Sequence, residues 1–230
     1  MAEIGAMIRG TLAQGRRNPS FRYGNVRDLF DPDYYRSAYP DIPESVSPLL
    51  HFLVAGGFEG RNPHPLFDTA FYTARHPDVA ASLCNPLLHF LKYGRSGDLQ
   101  PHPLFDSKYY LRCNPDLRAA GVNPLLHYVL HGAAEGRKPH PLFQPDYYLR
   151  GCPEANRNKY SPLVHFLLCS GNWADPHPLF HCADYLSHHP DAAASGINPL
   201  VHYVLFGSRS HLWKEGAQFG QDAGEAPCGQ

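Results

Sequence analysis

Residues 104–143 read LFDSKYYLRCNPDLRAAGVNPLLHYVLHGAAEGRKPHPLF, and this stretch decides the fold because the chain repeats it. Leu-Phe recurs at a nearly constant interval in five of its six copies, with the phenylalanine at Phe30, Phe67, Phe105, Phe143 and Phe180. Pro-Leu-(Leu/Val)-His-(Phe/Tyr) recurs at the same interval, beginning at Pro48, Pro86, Pro124, Pro162 and Pro199. A constant period of this length is typical of repeat proteins, in which each repeat buries its apolar face against its neighbours.

The start of each repeat predicts a first helix. In the third repeat Asp106 is a good N-cap residue, because its carboxylate can accept hydrogen bonds from the first free backbone N–H groups of a helix. Phe105 then precedes the cap and Tyr110 lies in the first turn, which are the two positions of a hydrophobic staple. The same pair recurs as Phe30/Tyr35, Phe67/Tyr72, Phe105/Tyr110, Phe143/Tyr148 and Phe180/Tyr185. Pro32 and Pro145 fall at the first helical position, where proline is favourable.

A second helix is predicted at the Pro-Leu-(Leu/Val)-His motif. The residue before the proline is a good N-cap residue in every repeat: Ser47, Asn85, Asn123, Ser161 or Asn198. We expect a helix of about eight residues that ends near a glycine, because glycine commonly follows a helix in the left-handed conformation. These glycines are Gly56, Gly94, Gly132, Gly171 and Gly207. Between the two helices, a Pro-Asp step ends the first helix and predicts a short extra turn.

Together these patterns predict an all-α, solenoid-like tandem array of five repeats, with two short helices each and no sheet. The repeats comprise residues 29–65, 66–103, 104–141, 142–178 and 179–213. Residues 1–28 are an N-terminal extension, and residues 214–230 are a loose polar C-terminal tail. Because helices this short are not stable alone in water, stacking of the repeats must supply the stability.

The composition argues against several classes of function. Lys and Arg number 20 against 21 Asp and Glu, so the net charge of −1 disfavours a nucleic-acid binder. No apolar run approaches the roughly 20 residues of a membrane helix, and the N-terminus lacks an export signal. We therefore expect no membrane span and a cytoplasmic protein with mostly reduced cysteines. Phosphate-binding, nucleophile-elbow and HExxH motifs are missing from the sequence, so we predict no catalytic residue, no enzyme activity and no cofactor.

Histidine is unusually frequent, with 15 copies that fall mainly into two columns. The first column lies on the second helix and comprises His51, His89, His127, His165 and His202. The second lies in Pro-His-Pro loops and comprises His64, His102, His140 and His177. Equivalent positions on packed helices are about 8–10 Å apart, too far to share one zinc ion, so we interpret the first column as structural or solvent-facing. We interpret the loop histidines as structural, because linker positions need polar partners, and we predict no metal site. The alternatives are a response to pH and a metal site in the fifth repeat, formed by His177, His181, Cys182, His188 and His189.

Adjacent aromatic residues begin the first helix of four repeats: Tyr34/Tyr35, Phe71/Tyr72, Tyr109/Tyr110 and Tyr147/Tyr148. Successive residues on a helix point about 100° apart. One member of each pair therefore packs as the staple, and the other faces a neighbouring repeat or a groove. An aromatic groove of this kind could hold a sugar or a peptide.

The pattern FDxxYYLxxNPD, followed by NPLLHY and EGRKPHPLF, resembles tandem repeats attached to bacterial glycosyltransferases and surface-polysaccharide biosynthesis proteins. The complete EGR motif occurs only in the first repeat (Glu59-Gly60-Arg61) and the third (Glu135-Gly136-Arg137). The resemblance implies a non-catalytic scaffold or interaction module that accompanies a separate catalytic domain. Its expected partner is another protein, such as a glycosyltransferase or a polysaccharide-assembly component. The alternative function is a histidine-rich module that binds a metal or a glycan.

Overall fold

A computed structural model describes residues 24–171 and 173–207. Within these residues the chain forms 14 α-helices and no β-strand, which confirms the prediction of an all-α tandem array. The array divides into two compact units, an N-terminal unit that ends at Pro101 and a C-terminal unit that begins at His102. The first two predicted repeats lie almost entirely in the N-terminal unit, and the other three lie in the C-terminal unit.

The N-terminal unit contains six α-helices in its described part. They are α1 (Gly24–Asp28), α2 (Pro32–Ala38), α3 (Pro48–His51), α4 (Thr69–Arg75), α5 (Pro77–Ala81) and α6 (Pro86–Tyr93). Helix α3 continues as a π-helical turn over Phe52–Gly56, and α6 continues as a 3₁₀ turn over Gly94–Ser96. Helix α1 lies within the predicted N-terminal extension, yet it packs against α6 and buries Val26. The N-terminal unit therefore begins before the first repeat.

The C-terminal unit contains eight α-helices in its described part. They are α7 (Ser107–Cys113), α8 (Pro115–Ala120), α9 (Pro124–His127), α10 (Pro145–Gly151), α11 (Pro162–Leu168), α12 (Cys182–His188), α13 (Pro190–Ser195) and α14 (Pro199–Phe206). Helix α9 continues as a π-helical turn over Tyr128–Gly132, and a 3₁₀ helix covers Pro153–Arg157. The predicted tail at 214–230 and the last residues of the fifth repeat lie outside the described residues.

The predicted helix starts are confirmed. Asp31, Asp68 and Asp106 accept hydrogen bonds of 2.9–3.0 Å from backbone N–H groups of the turn that follows. Gln144 and His181 occupy this position in the last two repeats and make no such bond. The second helices begin after side-chain caps at Ser47, Asn85, Asn123, Ser161 and Asn198, as predicted.

A cluster of three aromatic rings forms the core of each repeat. In the third repeat, the rings of Phe105, Tyr110 and Tyr128 are fully buried and their centroids lie 5.5–5.8 Å apart. The corresponding rings in the other repeats are Phe30/Tyr35/Phe52, Phe67/Tyr72/Phe90, Phe143/Tyr148/Phe166 and Phe180/Tyr185/Tyr203. The predicted staple pair is thus confirmed, and the second helix supplies the third ring.

Backbone hydrogen bonds connect the start of one repeat to the loop that leads into the next. The N–H of Asp68, which caps a first helix, donates to the carbonyl of Pro101 at 2.9 Å. Equivalent bonds occur at Asp31–Pro63, Asp106–Pro139 and Gln144–Pro176. The Asn85 side chain adds a second link, because its amide donates to the carbonyl of Phe52 in the preceding repeat at 3.2 Å. These hydrogen bonds recur at equivalent positions because the sequence pattern repeats at a constant interval.

Two features differ from the sequence-based expectation. At the Pro-Asp step, where the sequence predicted a short extra turn, the second, third and fifth repeats have a short helix of five or six residues (α5, α8 and α13). The predicted left-handed glycine is found only at Gly171 among the five candidates. Gly56 and Gly132 instead end the π-helical turns, where a Cβ atom would overlap the hydroxyl of Tyr35 or Tyr110. Close approach of an aromatic side chain, not left-handed backbone, requires glycine at these two positions.

None of the described helices is both long and apolar enough to cross a membrane. Four cysteines are free thiols: Cys84, Cys152, Cys169 and Cys182. Cys113 is disulfide-bonded, and the expectation was of mostly reduced cysteines.

Candidate functional site

The histidine column on the second helices is bonded to the tyrosines of the first helices. His127 Nδ1 lies 3.0 Å from the Tyr110 hydroxyl within the third repeat. The same hydrogen bond joins Tyr35/His51, Tyr72/His89, Tyr148/His165 and Tyr185/His202 at 2.6–3.0 Å. Each bond satisfies the polar end of a tyrosine whose ring is buried in the aromatic core, so the column links the two main helices of every repeat.

Burial sets the ionisation of these pairs. It raises the pKa of Tyr35 and of Tyr185 to about 12, and it also raises the pKa of Tyr110. Desolvation lowers the pKa of His89 and of His127. In the Tyr110/His127 pair both partners are thereby held in their neutral forms, which suits a tyrosine–imidazole hydrogen bond. This pairing was not predicted from the sequence, although the separation between tyrosine and histidine is almost the same in every repeat.

The Pro-His-Pro histidines close tight turns. His64 Nδ1 accepts a hydrogen bond of 3.0 Å from the backbone N–H of Leu66, and the His64 carbonyl accepts one from Phe67. The same side-chain bond occurs at His102, His140 and His177, each to the residue two positions on. Burial lowers the pKa of His64 and of His140 to about 4. These imidazoles therefore act as neutral acceptors within their own loops.

The five residues of the alternative metal site are engaged in separate contacts. His177 closes its turn, while His181 Nδ1 lies 2.8 Å from the Asp175 carboxylate. The Cys182 thiol is buried, and its pKa is raised to about 12 by that burial. His188 Nδ1 lies 2.8 Å from the Asp184 carbonyl, and His189 stacks on Tyr185 at 4.3 Å. In the part of the chain that the structure describes, no three histidine, cysteine or acidic side chains are grouped as metal ligands would be.

A cysteine–histidine contact occurs in the fourth repeat. The Cys169 thiol lies 3.6 Å from His165 Nδ1, one helical turn away. That nitrogen is already bonded to the Tyr148 hydroxyl at 2.7 Å. Burial raises the pKa of the nearby Cys152 thiol. Cys169 therefore shares its basic partner with Tyr148, whereas a nucleophilic thiol normally has a base of its own.

The EGR motifs attach the loop after the second helix to the Pro-Asp step of the same repeat. Arg61 donates to Glu59 at 2.8 Å and forms two hydrogen bonds to Asp41 at 2.7 and 2.9 Å. Arg137 donates to Glu135 and to Asn114, each at 2.6 Å. Both arginines follow a π-helical turn. The motif is thus an internal brace in the two repeats that carry it.

The fourth repeat contains an open cleft of about 440 Å³ in the corresponding region. It is lined by Tyr147, Arg150, Gly151, Trp173, Ala174 and Asp175. Tyr147 is the non-staple member of its aromatic pair, which the sequence predicted to face a neighbouring repeat or a groove, and it lines this cleft. Trp173 and Arg150 were not assigned to a common site from the sequence, because one lies in a loop and the other near the end of a helix in a different part of the repeat.

Comparisons with known proteins provide no further assignment. No family model matches the chain, and no curated protein or solved structure matches it either. The functional interpretation therefore depends on the repeats and on their geometry.

Proposed function

We propose that this protein is a non-catalytic helical-repeat module that binds another protein. The observation that carries this proposal is that the recurring polar side chains form hydrogen bonds within the repeats themselves. The helix histidines bond to core tyrosines, the loop histidines close turns, and the cap residues satisfy helix ends. The chemistry that recurs in every repeat thus serves the fold, which leaves the positions that vary between repeats to provide specific recognition.

Exposed apolar side chains at variable positions support the same proposal. In the N-terminal unit, Phe58 is 50% exposed and Leu83 is 67% exposed. The Leu83 position is glycine in the third and fifth repeats, at Gly121 and Gly196. Large apolar side chains at such positions contribute nothing to the core, and they are typical of protein-interaction surfaces.

We further propose that the partner belongs to glycosyltransfer or surface-polysaccharide assembly. This finer assignment is supported by the resemblance of the repeats and by nothing in the described geometry. The proposed location in the cytoplasm also rests on the sequence alone.

The test is cross-linking capture of the full chain from its native host, followed by mass spectrometry. We expect stoichiometric recovery of a glycosyltransferase or polysaccharide-assembly protein, and at least tenfold lower recovery with the variant F58D/L83D. The control variant S37D also introduces a charge at an exposed position and should retain the partner. Capture that is unchanged by F58D/L83D would rule out this surface. Absence of any stoichiometric partner would contradict the scaffold function.

The alternative metal-binding function has a direct test in the same preparation. Elemental analysis of untagged protein should give zinc and copper well below one equivalent per chain. A stoichiometric content that is lost in the variant H181A/C182A would favour the metal-binding module instead.

A further inference from the structure

The cleft of the fourth repeat differs from the equivalent region of the other repeats. Counting back from the first proline of each Pro-His-Pro loop, Trp173 stands where the first and third repeats have Gly60 and Gly136 and the second has Asp98. Those two glycines belong to the EGR braces. The fourth repeat lacks the brace, and an indole ring lines the cleft together with Tyr147. The cleft has a volume of about 440 Å³ and is open to solvent, so a ligand there would be only partly enclosed.

The cleft offers a cation that contacts an aromatic ring and forms no ion pair within the described residues. Arg150 is exposed, and its guanidinium carbon lies 5.7 Å from the centre of the Tyr147 ring. Within the described residues it makes no ion pair, whereas Arg61 and Arg137 are bound to carboxylates in their own repeats. A guanidinium held at an aromatic wall, with its donors free, is suited to bind a carboxylate group of a ligand.

Asp175 supplies acceptors on the same cleft. Its Oδ1 accepts from the backbone N–H of Cys182 at 2.8 Å, and its Oδ2 lies 2.8 Å from His181 Nδ1. Each carboxylate oxygen can accept a second hydrogen bond, so the side chain is fixed in place and still able to accept from a ligand hydroxyl. A ligand without donors, such as an aromatic acid, would leave Asp175 unpaired and would be repelled by its charge.

The indole N–H of Trp173 is buried without a hydrogen-bond partner in the described part of the chain. An unsatisfied buried donor is unfavourable, and native proteins have few of them. A ligand oxygen that reached this group after a small rotation of the ring would satisfy it. An oxygen-rich ligand would therefore suit a cleft that Trp173 itself lines.

We propose that this cleft binds a carboxylated pyranose sugar, a hexuronate. The apolar face of the sugar ring would pack against Tyr147 and Trp173, its carboxylate would bind Arg150, and its hydroxyl groups would donate to Asp175. Aromatic walls alone would suit many apolar ligands. The combination of a free guanidinium with a fixed carboxylate acceptor selects a ring that carries both an acid and hydroxyl groups. The site goes beyond the proposed protein-binding function and does not depend on it.

The experiment is a fluorescence titration of the full chain in a W213F background, which leaves Trp173 as the only tryptophan. The probes are sodium glucuronate, glucose, benzoate and inorganic phosphate. We expect saturable quenching by glucuronate in the millimolar range, with at least tenfold weaker binding of the other three. The variant R150Q should weaken glucuronate binding at least tenfold without changing the response to glucose.

A matched control distinguishes the site from general charge effects. Arg112 occupies the position of Arg150 in the third repeat, where its guanidinium carbon lies 5.5 Å from the Tyr109 ring. The variant R112Q should bind glucuronate like the unmodified protein. Circular dichroism melting of R150Q verifies that this exposed substitution leaves the fold intact.

Three results would each overturn the proposal. One is the lack of saturable quenching by glucuronate at millimolar concentrations, and another is equal binding of glucuronate by R150Q and the unmodified protein. The third is binding of phosphate or benzoate as tight as that of glucuronate, since a simple anion or an aromatic acid would then be the preferred ligand.

Discussion

Replacing Gly132 by alanine should destabilise the protein because the new methyl group competes with the Tyr110 hydroxyl. A Cβ atom at this position overlaps that hydroxyl and comes within 3.2 Å of Tyr110 Cζ and 3.3 Å of His127 Nδ1. Tyr110 is fully buried among Phe105 and Tyr128, so its ring has no free space into which to move.

The magnitude follows from three contributions. Overpacking in a dense core costs about 1–3 kcal/mol. Displacing the Tyr110 hydroxyl from His127 adds about 1 kcal/mol for the lost hydrogen bond. Against these costs, alanine has a higher helix propensity than glycine, which stabilises the folded protein by up to about 1 kcal/mol. We therefore expect G132A to lower the free energy of unfolding by about 2 kcal/mol, measured by urea denaturation followed by far-UV circular dichroism.

A double-mutant cycle tests the cause. Y110F alone should cost about 1 kcal/mol, because it removes the hydrogen bond to His127. It also removes the overlapping oxygen, so G132A in the Y110F background should cost much less than in the unmodified protein, giving an interaction energy of about 2 kcal/mol. G151A is the control, because its new Cβ atom would meet only the Ala174 methyl at 3.9 Å. Additive effects of Y110F and G132A would refute the reasoning.

Three further changes follow from the structure. L83G should stabilise the protein by about 0.5–1 kcal/mol in urea denaturation, because this exposed leucine has a left-handed φ of 51°; a loss of stability would show that Leu83 makes a needed contact. Y128F should raise the free energy of unfolding by up to about 1 kcal/mol, since Ser161 is the weak partner of an otherwise unsatisfied buried Tyr128 hydroxyl in the described part of the chain. Ser161 lies beside Tyr128, at the position where Asn85 donates to the Phe52 carbonyl and Asn198 to the Phe166 carbonyl. Adding S161N to Y128F supplies the same phenylalanine–asparagine pair and should raise the melting temperature further, whereas a lower value than that of Y128F alone would contradict the pairing. Because burial lowers the pKa of His64 and His140 from 6.5 to about 4, the unfolded chain binds more protons between these values. Stability should thus fall as the pH drops from 6.5 towards 4, by up to about 3 kcal/mol per histidine at the low end. The variant H64N/H140N keeps a side-chain acceptor for each turn and should flatten this dependence, and an unchanged pH profile would exclude these histidines as its cause.

The local structure of this protein was largely predictable from sequence. Asp106 and Asn85 identified helix starts because capping depends only on the next two or three positions. Phe105 and Tyr110 identified a staple for the same reason. The constant period predicted the tandem array, since a repeated local pattern must fold the same way each time.

Other features were decided by contacts between segments far apart along the chain. The glycine requirement at Gly132 comes from the Tyr110 hydroxyl on a different helix, and not from the backbone conformation that the sequence suggested. The histidine on the second helix was interpreted as packing or facing solvent, and only the tertiary structure placed its Nδ1 on a buried tyrosine. The cleft in the fourth repeat likewise depends on how a helix end at Arg150 and a loop at Trp173 fold together. Capping and periodicity are encoded locally, whereas close approach and ligand-sized space depend on packing, and packing brings together residues whose spacing in the sequence carries no direct signal of contact.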